Sequence, residues 1–201
     1  AGMLSSGTLN DARLSSNVVL RNTANTFSGD VTAPNFSGSG AGLTGVWKLG
    51  GNSEGSSLAL GTGDNQPLEI LVNGLRALRI EPRTDAPNVI GGWRSNYVSQ
   101  FIEGATIAGG GNGSDIFGDK LTNSVVADNG TIGGGGGNSV GGIFGTISGG
   151  RNNSTSASWA SIGGGVSNGI ELNSWSAVIG GGNDNHIQEN SQEAVIGGGA
   201  E

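Results

Sequence analysis

The sequence predicts an all-β chain, a parallel β-solenoid (β-roll) with short coils, and three observations carry that prediction. First, a phrase made of a small residue, a β-former, an isoleucine and two or three glycines recurs from residue 88 onward, as in Gly130-Thr-Ile-Gly-Gly134 and Ala177-Val-Ile-Gly-Gly-Gly182. Its isoleucines stand at 90, 107, 132, 147, 162, 179 and 196, in steps of 17, 25, 15, 15, 17 and 17. Second, six residues after most of these isoleucines stands an asparagine (Asn96, Asn138, Asn153, Asn168, Asn185), followed two positions on by Val98, Val140, Thr155, Ile170 or Ile187. Third, 42 glycines and only 34% hydrophobic residues in 201 leave too few large apolar side chains to fill an ordinary globule.

A repeat of 15 to 17 residues is too short for the helix-pair repeats, which need about 30 or more. It suffices for two short strands and two turns, stacked at about 4.8 Å per coil. Alternation in Ala177-Val178-Ile179 sends Ala177 and Ile179 to one face and Val178 to the other, so stacked repeats line a narrow interior with isoleucine beside alanine or glycine. The glycines that follow supply the tight corner. The step of 25 resolves once Asn123 and Val125 are read as the displaced second phrase, with residues 113 to 120 as a loop bulging from one turn.

Residues 1–45 show no helical period and are rich in Ser, Thr, Asn and Gly, with short strands expected at Asn17-Val-Val-Leu20 and Thr26-Phe27. Such a segment buries too little to fold alone and is expected to wind around copies of itself. Residues 46–87 carry strand-like runs, among them Leu68-Glu-Ile-Leu-Val72 and Leu75-Arg-Ala-Leu-Arg-Ile80, joined by the hairpin signal Asn73-Gly74. This region reads as a small β-domain, β-prism-like, closed by Glu81-Pro82 and Ala86-Pro87; residues 88–201 form the solenoid.

Leu9-Asn-Asp-Ala-Arg-Leu-Ser-Ser-Asn-Val-Val-Leu20, Asn25-Thr-Phe-Ser-Gly29 and Asn35-Phe-Ser-Gly-Ser-Gly-Ala-Gly-Leu-Thr-Gly45 resemble the linker phrases of bacterial and phage trimeric fibres. From residue 88 the paired Ile-Gly-Gly and Asn phrases resemble the head repeats of YadA-type trimeric autotransporter adhesins. The adhesin-head repeat is shorter than most coils here, and its glycine runs are poorer. The resemblance implies a homotrimer of left-handed β-rolls, preceded by intertwined fibre segments and borne extracellularly on a cell surface or on a phage-like or injection-system particle. It implies recognition of cell-envelope or matrix glycans or of a protein receptor. Two alternatives stand beside it: a purely structural shaft whose binding tip lies elsewhere, and a polysaccharide-degrading tailspike. The final phrase stops part-way through a repeat, which is read as belonging to a longer fibre.

A net charge of −7 with no basic run argues against nucleic acid as a partner, and no apolar stretch is long enough to insert in a membrane. With no cysteine there is no disulfide framework. Gly40-Ala-Gly-Leu-Thr-Gly45 matches the dinucleotide fingerprint, but no strand precedes it and no helix follows to receive a phosphate. The segment around Asp115 fits one calcium-binding nonapeptide; a single carboxylate without a second copy reads as a surface loop rather than a metal site. His186, the lone histidine, is expected outward in a solvated corner. No carboxylate pair is singled out for glycosidic chemistry, so the chain is expected to be no enzyme and to need no cofactor. The aromatics are more informative. Phe144 and Trp159 stand three residues before Ile147 and Ile162, and Trp175 four before Ile179, so a column of outward aromatics is expected. These three residues are the candidate ligand-binding set, as a sugar-stacking platform or as a subunit contact.

Overall fold

The computed structural model describes residues 60–200, so the intertwined fibre segment expected over 1–45, and residues 46–59, lie outside the described part. The fold is all-β and is a parallel β-solenoid of six coils. A hairpin of β1 (Leu68–Val72) and β2 (Leu75–Glu81) leads into β3 (Asn88–Gly91) and β4 (Tyr97–Val98). Two-residue strands then alternate: β5 (Thr106–Ile107), β6 (Ser124–Val125), β7 (Thr131–Ile132), β8 (Ser139–Val140), β9 (Thr146–Ile147), β10 (Ser154–Thr155), β11 (Ser161–Ile162), β12 (Gly169–Ile170), β13 (Val178–Ile179), β14 (His186–Ile187) and β15 (Val195–Ile196). The hairpin and the odd-numbered strands make one nine-stranded sheet, and the even-numbered strands from β4 onward make a six-stranded sheet.

Each strand is short because each coil turns after two ladder residues, and register makes the stacking strict. Ile90, Ile107, Ile132, Ile147, Ile162, Ile179 and Ile196 are paired in one cross-strand row. The first six of them are fully buried. Facing them across the narrow interior, Val98, Val125, Val140, Thr155, Ile170 and Ile187 form the second row, all buried. Ala177 and Ile179 point in while Val178 is exposed, as alternation requires.

A third inner row is polar. Asn96, Asn123, Asn138, Asn153, Asn168 and Asn185 are buried, and the Oδ1 of each of the first five accepts the backbone N–H of the next at 3.0 Å. Each Nδ2 then donates to glycine carbonyls, as when Asn153 reaches Gly149 and Gly165 at 3.0 Å. The asparagine amide thus satisfies a backbone donor and two backbone acceptors that the glycine turn leaves inside, where an unpaired group costs about 1–3 kcal/mol. Among the described residues no buried side-chain polar atom lacks a partner.

Coil length varies by insertion at two different edges. The 17-residue coils carry two extra residues between the second-sheet strand and the next first-sheet strand; the 25-residue step carries its excess in the glycine turn, where Asn112 and Leu121 pair and close the expected loop.

Of the region expected to be a β-prism-like domain, residues 60–87 contribute one antiparallel hairpin, turned at Asn73 (φ 51°) and Gly74 (φ 71°), that continues the first solenoid sheet through β2 and β3. Directly opposed residues in a sheet share a face. Arg79 opposes Ile90 and Glu69, and Glu81 opposes Asn88, so the hairpin turns its charged face toward the end of the core. Arg79 bonds Glu69 and Glu81 there. Burial pulls the Arg79 guanidinium's pKa down, and the two carboxylates more than restore it, leaving it above its ordinary value. Leu68, Ile80 and Val89 share the outward side. The mixed pattern of β2 therefore suits a strand that ends a core rather than flanking one.

Candidate functional site

The two edges of the coil, where the chain passes between sheets, differ in chemistry. The edge after each Ile is rich in glycine. In the column Gly92, Gly110, Gly135, Gly150, Gly165, Gly182 every φ is positive, between 73° and 99°. A Cβ on any of them would stand 2.0 to 2.3 Å from the carbonyl oxygen of the next glycine in the column. Only glycine fits, because the backbones of successive coils touch there.

The opposite edge, before each Ile, carries exposed aromatics. Phe144 and Trp159 occupy the same place in consecutive coils and stack, with ring centroids 6.4 Å apart and planes 13° from parallel. They are 50% and 58% exposed. Both lie in the left-handed region, at φ 57° and 58°. The equivalent places in other coils hold Gly104, Asn129, Ser176 and Glu193, also at positive φ. A backbone ladder defines the column: Asn129, Phe144, Trp159, Ser176 and Glu193 each donate to a carbonyl of the preceding coil, from Glu103, Asp128, Ile143, Ser158 and Trp175. Trp175 is therefore displaced from the expected column. It lies one residue earlier in its coil, four before Ile179, at the place that Ser158 holds four before Ile162. It is exposed on the same edge, as are Val126, Ile143 and Leu172.

Sequence reasoning missed Phe101, which is 81% exposed at φ 69° on this edge. It stands six residues before its Ile, in the extra pair of residues of a 17-residue coil. Lining up coils of unequal length from the Ile backward is the signal that finds it.

The remaining candidates fall elsewhere. Asp115 accepts the backbone N–H groups of Phe117 and Asp119, at 2.8 and 2.9 Å, and pairs with Arg151 at 2.8 Å. Burial pushes its carboxyl up, but these two donors and the guanidinium outweigh it and hold the pKa below the ordinary value. Arg151 also bonds Asp119 and lies 5.6 Å from the Phe117 ring centre. The loop is thus tied to a later coil by an arginine. His186 points outward as expected, on β14 rather than in a corner, 3.2 Å from Asp184. Among the described residues no three His, Cys, Asp or Glu side chains gather where they would hold a metal, and no helix is long and apolar enough to cross a membrane.

Fold and surface together define a β-solenoid repeat protein of the kind found among fibrous and structural chains. Comparison with protein-family models, with curated proteins and with solved structures finds no match to the chain.

Proposed function

We propose that the chain is a segment of an extracellular homotrimeric fibre, carried on a cell surface or on a phage-like or injection-system particle, that recognises envelope or matrix glycans through its aromatic edge. The observation that carries this reading is the placement of Phe144 and Trp159. Each exposes a large apolar ring and holds it on a left-handed backbone that costs a side-chain-bearing residue on the order of 1 kcal/mol. Folding of the coil gains little from either property, since Gly104 and Asn129 serve the same turn. A binding surface gains from both, because a rigid aromatic presents a large area with little entropy to lose. Trp175 extends the strip.

The rest of the reading fits a fibre. Solenoid stability is a sum over nearest-neighbour coils, so length can be added without a larger core. A structural shaft with its tip elsewhere keeps the same fold and assigns the aromatic edge to subunit contact instead. Native mass spectrometry and a glycan array on the trimer test the proposal together. A stable monomer at working concentration refutes the trimer. Binding that is absent, or indifferent to Phe144→Asn and Trp159→Asn, refutes recognition by this edge.

A further inference from the structure

We propose a second, separate binding site, a cleft between the segment leading into and out of the hairpin and the first coil, which takes an uncharged pyranose against Phe101. The inference rests on the reading that this fibre recognises carbohydrate, and adds a site away from the Phe144–Trp159 pair. The cleft has a volume of about 450 Å³ and is lined by Asn65, Arg83, Thr84, Gln100, Phe101 and Glu103. That is toward the small end of small-molecule sites and suits one or two sugar rings.

The identity of Phe101 is the first argument. The other two 17-residue coils hold Asn173 (φ 60°) and Asn190 (φ 64°) at the corresponding place, and asparagine is the side-chain-bearing residue best suited to that backbone. Phenylalanine there is both strained and 81% exposed, and it lines the cleft. Neither cost is repaid within the coil.

The polar lining gives the ligand class. Arg83 is already committed: Nε donates to the Ile102 carbonyl at 2.8 Å, Nη1 to the Pro82 carbonyl and Nη2 to Glu81 at 2.9 Å. Three of its five N–H groups are thus used and its charge is balanced by Glu81, and the Glu103 carboxylate, which accepts the Thr84 N–H at 3.2 Å, repels an anion. Among the described residues the side-chain amides of Asn65 and Gln100 and the Thr84 hydroxyl have no protein partner. Neutral donors and acceptors around one aromatic face match the hydroxyls and the apolar C–H face of a pyranose.

The test is a printed array of neutral hexose and N-acetylhexosamine oligosaccharides, with sialylated and phosphorylated glycans alongside, probed with the full chain and with Phe101→Asn, Gln100→Ala and Trp159→Asn. The best neutral glycan is then titrated by calorimetry. Phe101→Asn is expected to bind about tenfold more weakly. It should melt no lower than the parent, since asparagine already fills this backbone place in two other coils. Gln100→Ala is expected to weaken the same ligands. Neutral-glycan binding that survives Phe101→Asn, or that is lost only in Trp159→Asn, overturns this site while leaving glycan recognition standing. Binding confined to the anionic glycans also overturns it. No binding to any glycan by the parent chain overturns both readings.

Discussion

Both edges of the solenoid require left-handed backbone, yet the column from Gly92 to Gly182 on one is all glycine, while the column of Phe144 and Trp159 on the other also admits asparagine, serine, glutamate and, at Gly104, glycine. All of these φ values lie in the left-handed region, 86° at Gly165 and 58° at Trp159 among them. What differs is where a Cβ would go. At Gly165 it would lie 2.0 Å from the Gly182 carbonyl oxygen, whereas the Trp159 side chain extends into solvent beside Phe144. Positive φ alone therefore does not dictate glycine; positive φ against a stacked backbone does. The glycine edge is fixed by packing, and the aromatic edge is free to carry a surface.

The interior row between the edges sets the scale. Ile162→Asp places an unpaired charge in the buried isoleucine row and is expected to cost several kcal/mol, on the order of 4 or more, with loss of the cooperative melt. Ser161→Asp, one position outward, is expected to cost far less; equal costs would break the alternation on which both edges depend. Next comes the bracing of the glycine edge. Asn153→Asp keeps the shape but turns the Nδ2 donor into an oxygen facing the carbonyls of Gly149 and Gly165, with an expected cost of about 3 kcal/mol in chemical denaturation. A melt like the parent's would show that the asparagine row is not what satisfies the turn.

Gly165→Ala tests the packing claim directly, with a cost on the order of 2–3 kcal/mol expected from the Cβ contact and φ together. Trp159→Asn makes the matched change on the other edge. It loses the Phe144 stack and relaxes the backbone, so its melt should differ from the parent's by no more than about 1 kcal/mol. If Trp159→Asn proves as damaging as Gly165→Ala, the contrast between the edges collapses. The smallest effect concerns the loop on the glycine edge. The Asp115 pKa lies below its ordinary 3.8 in the folded chain, so its contribution is fully present above that value and is lost as pH falls through the folded pKa. The amide resonances of Phe117 and Asp119, which donate to this carboxylate, are expected to titrate together below 3.8, and Arg151→Ala to raise their midpoint.

Much of this was legible in the residues. The spacing of isoleucines gave coil number and register, because two residues of ladder per coil leave no other alignment for a β-branched row. The Asn73-Gly74 turn and the bulge after Gly111 were equally readable, since turn chemistry is local. The asparagines were visible as a period, and their place two residues before a buried Val or Ile already put them on the inner face. Their function was not visible, because it lies in carbonyls brought near only by coiling.

Unequal coils mark the boundary between the two kinds of knowledge. Counting from the nearest Ile placed Phe144 and Trp159 together, and they stack. Trp175, four rather than three residues before its Ile, was put in the same column, and the backbone ladder gives that place to Ser176 instead. The hairpin shows the same limit: alternation in β2 fixed which residues share a face, but pairing with β3 decided that Arg79 and Glu81, not Leu78 and Ile80, turn toward the core end. By itself the sequence determined the period, the strands and the interior rows, all of which depend on near neighbours and a repeated step. The tertiary structure alone decided which glycines touch a neighbouring backbone, which charges cap the core and which aromatics meet, because those depend on distances between residues of different coils.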